Sequence, residues 1–322
     1  MEGPVLSLVL PIYNEEATIP ELDRRLRGFF ADVGSGVGES WEVIFVNDGS
    51  KDRSLALLRD LATLEPRYKI LSLSRNFGHQ MAITAGLDRA NGEAVVVMDA
   101  DLQDPPEVVR QMVARWREGF DVVFGVRSRR HGETAFKKMT AAVFYRVLRA
   151  MLGDASIPVD AGDFRLMSRA VVLTLRALRE RHRFVRGLVW WVGFRQTAVA
   201  YERPARFAGE IKWPLRRMLR FAVDGITSFS TVPLRMATWL GVLAGLVALG
   251  GVGWALYSKF FGGVVRGWTT IMILVGLGSS AQLLMTGILG EYVGRIYEEV
   301  KRRPLYVVDN EINLGGPDRS AP

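Results

Sequence analysis

Among the 322 residues there is no cysteine, which removes disulfides, a thiolate nucleophile and any zinc–cysteine centre and fits a reducing cytoplasm. Catalysis would fall to carboxylates, cations and metal. A signal-peptide pattern is also missing, since Met1-Glu2-Gly3-Pro4 leads straight into an apolar strand. So is a Gly-x-Gly-x-x-Gly turn between strand and helix: Gly34-Ser35-Gly36-Val37-Gly38 precedes a strand and reads as a loop, which argues against a dinucleotide-binding redox protein. No nucleic-acid motif occurs. The net charge of +8 and isoelectric point near 9.9 therefore point to nucleotide diphosphates, lipid phosphates or an anionic membrane.

What is present is a series of apolar runs that each end in polar residues. Val5 to Leu10 leads to Pro11-Ile12-Tyr13-Asn14-Glu15-Glu16, Trp41 to Val46 to Asn47-Asp48-Gly49-Ser50, and Ile70 to Leu73 to Ser74-Arg75-Asn76-Phe77-Gly78-His79. Ala94 to Met98 runs into Asp99-Ala100-Asp101. Helical stretches at Ala17 to Ala31 and Ser54 to Thr63 separate them, which predicts an α/β fold with a doubly wound, mostly parallel sheet. Such strands read as unbroken apolar runs because both sheet faces are covered, and ligands bind beyond their carboxyl ends. Residues i and i+2 of a strand point the same way, so Asp99 and Asp101 can face one divalent cation, with Gln103 and Asp104 close behind; a solvated acidic turn is the alternative.

Four ordered motifs carry a resemblance: Pro11-Ile12-Tyr13-Asn14-Glu15-Glu16, Asn47-Asp48-Gly49-Ser50, Asp99-Ala100-Asp101-Leu102-Gln103-Asp104 and Gly162-Asp163-Phe164-Arg165-Leu166. The chain resembles the family 2 glycosyltransferases of GT-A fold, and among them polyprenyl-phosphate glycosyltransferases of the dolichol-phosphate mannose synthase and bacterial undecaprenyl-phosphate glucosyltransferase kind. The resemblance implies a nucleotide-sugar donor, a polyprenyl phosphate acceptor and a divalent metal, Mg2+ or Mn2+. Asp101 is the first expected metal ligand, with Gln103 the second and Asp99 in support; Pro11, Tyr13, Glu15 and Asp48 carry over as contacts to base and ribose. Asp163 looks like the residue proposed as catalytic base, here to orient or deprotonate the lipid phosphate, against the alternative of an acid at a helix N-terminus.

A phosphate monoester is already anionic near neutral pH, with a second pKa of about 6, so cations matter more than a base. Arg127, at the end of the strand Asp121 to Val126, is one candidate. Arg206 and Lys212 are others, in a segment resembling the family's Arg-x-x-Gly-Glu-Ser-Lys-Tyr with Ile211 for Ser and Trp213 for Tyr. A single in-line displacement inverts the anomeric centre and gives a β-linked product from an α-linked donor. Glucose from UDP-glucose is the expected transfer, mannose from GDP-mannose the alternative, and a non-catalytic nucleotide-binding membrane scaffold a further one. A processive polysaccharide synthase would show Gln-x-x-Arg-Trp; Gln111-Met112-Val113-Ala114-Arg115-Trp116 has one residue too many and reads as helix surface.

Met236 to Tyr257 and Trp268 to Gly290 carry no charge and are each a little longer than the ~20 residues that cross a bilayer. Arginines before Met236 and arginine and lysine after Gly290 predict both termini on the cytoplasmic side of a bacterial inner membrane. Gly241 and Gly245 would let helices approach closely. Leu215, Met218, Leu219, Ala222, Val223 and Ile226 form a stripe flanked by Arg216, Arg217 and Arg220, the pattern of an interfacial helix; Phe136 to Met151 carries a similar stripe, which fits packing on the sheet as well as membrane contact. The expected organisation is a catalytic domain over 1–210, the interfacial helix over 211–232, two spanning helices over 233–294 and a cytoplasmic tail over 295–322. The tail's Leu305-Tyr306-Val307-Val308 reads as a strand whose open edge favours a homo-oligomer, a tetramer among the options.

Overall fold

The computed structural model describes residues 4–31, 40–127, 161–202, 232–261 and 267–314. The chain forms two units, Met1–Pro214 with Arg303–Pro322, and Leu215–Arg302. In the first, β1 (Leu6–Ile12), β2 (Trp41–Asn47), β3 (Tyr68–Leu73) and β4 (Ala94–Val97) alternate with α1 (Ile19–Ala31), α2 (Ser54–Leu64) and α3 (His79–Arg89). All residues of β1, β2 and β4 are buried, the physical reason these strands read as continuous apolar runs. There follow α4 (Val109–Arg117), β5 (Val122–Arg127), β6 (Ala161–Ser168), α5 (Arg169–Ala177), α6 (Val185–Trp191) and β7 (Gln196–Tyr201).

With β8 (Val308–Ile312) these strands make one sheet in the order β7-β5-β6-β4-β1-β2-β3-β8. β1 pairs in parallel with β2 and β4, β2 with β3, and β5 with β7. β6 runs antiparallel to both β4 and β5, and β8 antiparallel to β3. The fold is thus α/β with a mostly parallel sheet. The reversal of β6 positions the site: its first residues lie at the edge where β1 to β4 have their carboxyl ends.

Leu6, Leu8, Leu10 and Ile12 pack on one face with Leu22 and Leu26 of α1, Phe45 of β2 and Met112 and Val113 of α4. The Gln111 to Trp116 segment is therefore helical as expected but not wholly surface, because Met112 and Val113 belong to the core. On the other face α3 lies directly against β1 and β2. A Cβ on Gly86 would stand 2.2 Å from Val9 Cγ1 and 3.0 Å from Val46 Cγ2, so only glycine permits that approach.

The strand expected over 305–308 starts at Val308 instead and docks on β3 of the same chain. Asn313 Nδ2 donates to the carbonyls of Ala62 and Tyr68 at 2.8 and 2.9 Å, and Arg89 pairs with Glu311 at 2.8 Å. β8 itself forms the sheet's edge.

The second unit holds α7 (Val232–Phe261) and α8 (Trp268–Val300), 30 and 33 residues long. At 1.5 Å per residue these are about 45 and 50 Å. Gly241 faces Met285, whose Cε would lie 3.2 Å from an added Cβ, and Gly251 faces Leu274; Gly245, expected to share the approach, meets nothing within 4 Å. Among the described residues no helix offers an uninterrupted stretch long and apolar enough to cross a membrane. The two-span expectation thus rests on the sequence. Leu215 to Ile226, Phe136 to Met151 and Gly34 to Gly38 lie outside the described residues.

Candidate active site

β4 and β6 pair up to Val97 opposite Arg165. The ladder ends there, and two residues beyond it on each strand Asp99 and Asp163 come to the same imidazole. The carboxyl end of an apolar strand and the beginning of a reversed one thus bring the acidic loop and the Gly162-Asp163-Phe164 motif together.

The imidazole of His79 stands between them. Its Nε2 lies 3.5 Å from Asp99 Oδ1 and 3.4 Å from Asp163 Oδ2. His79 opens α3, where the chain leaves the end of β3. Asp163 is buried, and Arg186 of α6 grips it through two parallel bonds, Nε to Oδ1 at 2.8 Å and Nη2 to Oδ2 at 3.0 Å. Gln80 Nε2 donates to Asp163 Oδ2 at 3.4 Å while Gln80 Oε1 accepts the Val185 amide at 3.0 Å, fastening α6 to α3. Arg165, also buried, has Nη2 4.0 Å from Asp163 Oδ1.

These neighbours set the protonation states. Burial alone pushes the Asp163 carboxyl up, but the Arg186 guanidinium, with His79 and Arg165, outweighs it and holds Asp163 well below the usual carboxylate range. Burial pushes His79 down, yet Asp163 and Asp99 raise it above the ordinary imidazole value. Burial raises Asp99, against the opposing pull of His79 and with repulsion from Asp163 and Asp101 adding to the rise. Arg165 is pushed down to about 10 by burial.

The acidic loop is tightly built. Asp101 Oδ1 accepts the Gln103 amide at 3.1 Å, and Asp104 Oδ2 accepts the Asp99 amide at 3.2 Å. Leu102 between them is buried and left-handed at φ 62°, a strained conformation of the kind retained at functional sites. Asp99 Oδ1 is buried and accepts no hydrogen bond, which suits a cation ligand. The described residues gather no group of three or more carboxylate or imidazole side chains around one metal position. Asp99, Asp101 and Gln103 thus form no such group by themselves, and a divalent ion there would need further oxygen ligands.

The other expected nucleotide contacts lie at the neighbouring strand ends. Pro11 is buried within β1, paired with Val46, whereas Tyr13 is 44% exposed just beyond the strand. Glu15 accepts the Thr18 hydroxyl at 2.9 Å and its amide donates to Ser54 Oγ at 2.8 Å. Asp48 is buried, with Oδ1 accepting the Phe77 amide at 2.7 Å and Oδ2 the Gly78 amide at 2.9 Å. Burial raises its carboxyl, opposed by those two amides. Asp48 thus anchors the loop that delivers His79. Arg127 ends β5, but its side chain lies outside the described residues, as do Arg206 and Lys212.

The sequence reading missed His79, Gln80 and Arg186 as site residues. His79 and Gln80 had a signal, their place directly after a strand end. Arg186 had none: it reaches Asp163 from a short helix, and only the packing of α6 reveals it.

Residues 7–176 match the family described as Glycosyl transferase family 2. The chain is 50% identical over 314 residues, 96% of its length and 94% of the relative's, to the uncharacterized glycosyltransferase YkcC of Bacillus subtilis. It is 40% identical over 307 residues, covering 95% of itself and 98% of the relative, to the bactoprenol glucosyl transferase of Shigella phage SfV. Among solved structures it is similar to glucosyl-3-phosphoglycerate synthase from Mycobacterium tuberculosis, at 21% identity and a TM-score of 0.47 over 70% of this chain and 76% of that one.

Proposed function

From the premise that this chain belongs to glycosyl transferase family 2, and is a glycosyltransferase, we propose that it moves glucose from UDP-glucose onto undecaprenyl phosphate at the cytoplasmic face of a bacterial inner membrane. The observation that carries the reading is the meeting of Asp99 and Asp163, through His79, at the carboxyl edge of the sheet. A donor-side acid and an acceptor-side acid are thus held to one imidazole, at the edge of the sheet where a sugar would change partners. The SfV relative, a bactoprenol glucosyl transferase matching nearly end to end, supports both sugar and acceptor.

In this reading Tyr13 and Glu15 border the nucleotide, Pro11 shapes the β1 end behind them, and Asp48 fixes the adjoining loop through Phe77 and Gly78. Asp101, Gln103 and Asp99 would hold Mg2+ or Mn2+ with the diphosphate; the bound ion supplies neutralisation of the charge that grows on the leaving nucleoside diphosphate. The acceptor phosphate needs no proton removed, being ionised near neutral pH with a second pKa of about 6. It attacks the anomeric carbon in line as the bond to the diphosphate breaks, so an α-linked donor yields a β-linked product. Arg127, Arg206 and Lys212 are the proposed further cations for the lipid phosphate.

α7 and α8 are proposed as the membrane anchor. Met236 to Tyr257 and Trp268 to Gly290 are free of charge in the sequence, and Trp239, Leu249, Trp254 and Leu283 are each exposed by about 70%, an apolar surface water does not favour. The domain division 1–210, 211–232, 233–294 and 295–322, with a homo-oligomer, belongs to the same proposal.

Membranes bearing the full chain, given undecaprenyl phosphate, Mn2+ and a panel of labelled sugar nucleotides, are expected to place label from UDP-glucose in the lipid extract. Excess chelator is expected to abolish transfer, Mn2+ or Mg2+ to restore it, and Asp101→Ala to lose it. Label appearing only from GDP-mannose would replace the donor, and label only on water-soluble acceptors would end the lipid-phosphate reading.

A further inference from the structure

Two carboxylates at one imidazole make a poor receptor for a phosphate. Asp99 and Asp163 together repel an anion, yet the acceptor must arrive beside them. The structure answers this on the Asp163 side, where Arg186 and His79 at 2.8 and 3.4 Å, with Arg165 at 4.0 Å, surround a single carboxylate.

We propose that Arg186 orients the acceptor phosphate and that Asp163 is a positioning residue acting through it, the anion that fixes the guanidinium, rather than the base. The inference rests on the lipid-phosphate reading above and deepens it. Both Asp163 oxygens point at Arg186, one at Nε and the other at Nη2. A general base must instead offer an oxygen to the group it deprotonates. The Asp163 side chain is only 6% exposed, whereas that of Arg186 is 32% exposed, so the member of the pair that meets an incoming ligand is the guanidinium. Its planar donor set matches phosphate oxygens, which a lysine at the same place would engage only as a point charge.

The mounting of Arg186 is rigid. The neighbouring Val185 amide is held by Gln80 Oε1 at 3.0 Å, and Gln80 Nε2 returns to Asp163. Arg186, Gln80 and Asp163 come from α6, α3 and β6, so the guanidinium is fixed by three elements of the fold. The depressed Asp163 carboxyl agrees with this: a group so firmly ionised is a weak proton acceptor at neutral pH.

The test measures KM for undecaprenyl phosphate and for UDP-glucose, with kcat, in the full-length chain and in Arg186→Gln, Arg186→Lys, Asp163→Asn and the Asp163→Asn/Arg186→Gln pair. Arg186→Gln is expected to raise the acceptor KM about tenfold or more while the donor KM stays within about twofold, and Arg186→Lys to recover only part of the loss. Because Asp163 acts through Arg186, the double variant should be no worse than the poorer single within about threefold. An unchanged acceptor KM in Arg186→Gln, together with a kcat loss of about a thousandfold in Asp163→Asn, overturns the inference in favour of a base. Should Arg186→Gln fail to bind UDP, and so fail to fold, the acceptor KM of Arg186→Lys decides, and an unchanged value overturns the proposal. A wild-type chain that glycosylates no lipid phosphate removes the acceptor reading and this inference with it; wild-type transfer with an indifferent Arg186 removes this inference alone.

Discussion

The Tyr201 hydroxyl, at the carboxyl end of β7, donates to Asp104 Oδ1 at 2.9 Å, and the other oxygen of Asp104 accepts the Asp99 amide. A strand four positions from β1 in the sheet thus sets the backbone of the acidic loop. Tyr201 is held in place by its ring edge against Phe164, 5.4 Å between centroids at 82°.

Tyr201→Phe keeps that ring contact and removes only the hydroxyl. Hydrogen bonds to charged groups contribute about 1.5–3 kcal/mol, so the variant should lose stability of this order in denaturant melts. It should also bind UDP with Mn2+ more weakly than wild type, because Asp99 loses its support. Unchanged UDP binding alongside a lower melting midpoint would separate Asp104 from the metal loop.

Gly49 offers a second check at the nucleotide edge. It adopts φ 66°, and a Cβ there would stand 2.5 Å from the Arg75 carbonyl carbon and 2.6 Å from the Asn76 nitrogen. The left-handed cost for an L-residue is about 1–2 kcal/mol before any clash is counted. Gly49→Ala should therefore destabilise the chain by more than that, and the displaced Arg75 to Gly78 loop should weaken nucleotide binding measured by calorimetry. A variant with wild-type affinity would show that this loop does not border the nucleotide.

The Asp163 ion pairs predict a definite acid limb. A carboxyl whose folded pKa lies below its unfolded value of about 3.9 contributes stability that is complete above that value and is lost as pH falls through the folded pKa. The gap in melting temperature between wild type and Asp163→Asn should hence close progressively below about 4, after widening as pH falls from 7 toward about 6, because Asp163 also helps hold the His79 pKa above its ordinary value. Burial-raised Asp48 is common to both proteins and cancels in the difference, whereas Asp99 loses the repulsion of Asp163 in the variant. A gap that did not narrow at all between about pH 5 and pH 3 would deny Asp163 its depressed pKa.

The strands of the amino-terminal half were legible because burial on both faces leaves them mostly apolar, with Ser7 and Glu42 buried because they bond each other, so Leu6 to Ile12, Trp41 to Asn47 and Ala94 to Val97 announce themselves. Asp99 and Asp101 followed from their place after such a strand. The strand β6 was not legible, since Asp163 and Arg165 interrupt its apolar residues and the segment reads as a polar motif, and with it went the approach of Asp99 and Asp163. Arg186 was hidden for a different reason. Its partner lies 23 positions away on another element, and an arginine in a basic chain gives no local sign that it is held by a buried acid.

The strand β8 carries the last prediction. Ser74 follows β3, and its amide donates to the Val307 carbonyl at 2.9 Å, while Tyr306 donates to Asp88 of α3 at 2.7 Å. The carboxy-terminal segment thus braces the start of the short Ser74 to Gly78 loop and the far end of α3, the helix that His79 opens. A chain stopped after Pro304 would lose β8, uncover the outer edge of β3 and release that loop. It is expected to melt lower and to aggregate through the uncovered edge. Asn313→Ala is the milder version: it removes two hydrogen bonds to backbone carbonyls, each worth about 0.5–1.5 kcal/mol, and leaves the Ser74 and Tyr306 bonds in place. It should lower stability by about that sum while nucleotide binding holds. Equal loss of nucleotide binding in Asn313→Ala and in the truncated chain would mean that β8 supports the site through α2 and the Tyr68 end of β3, and not through Ser74.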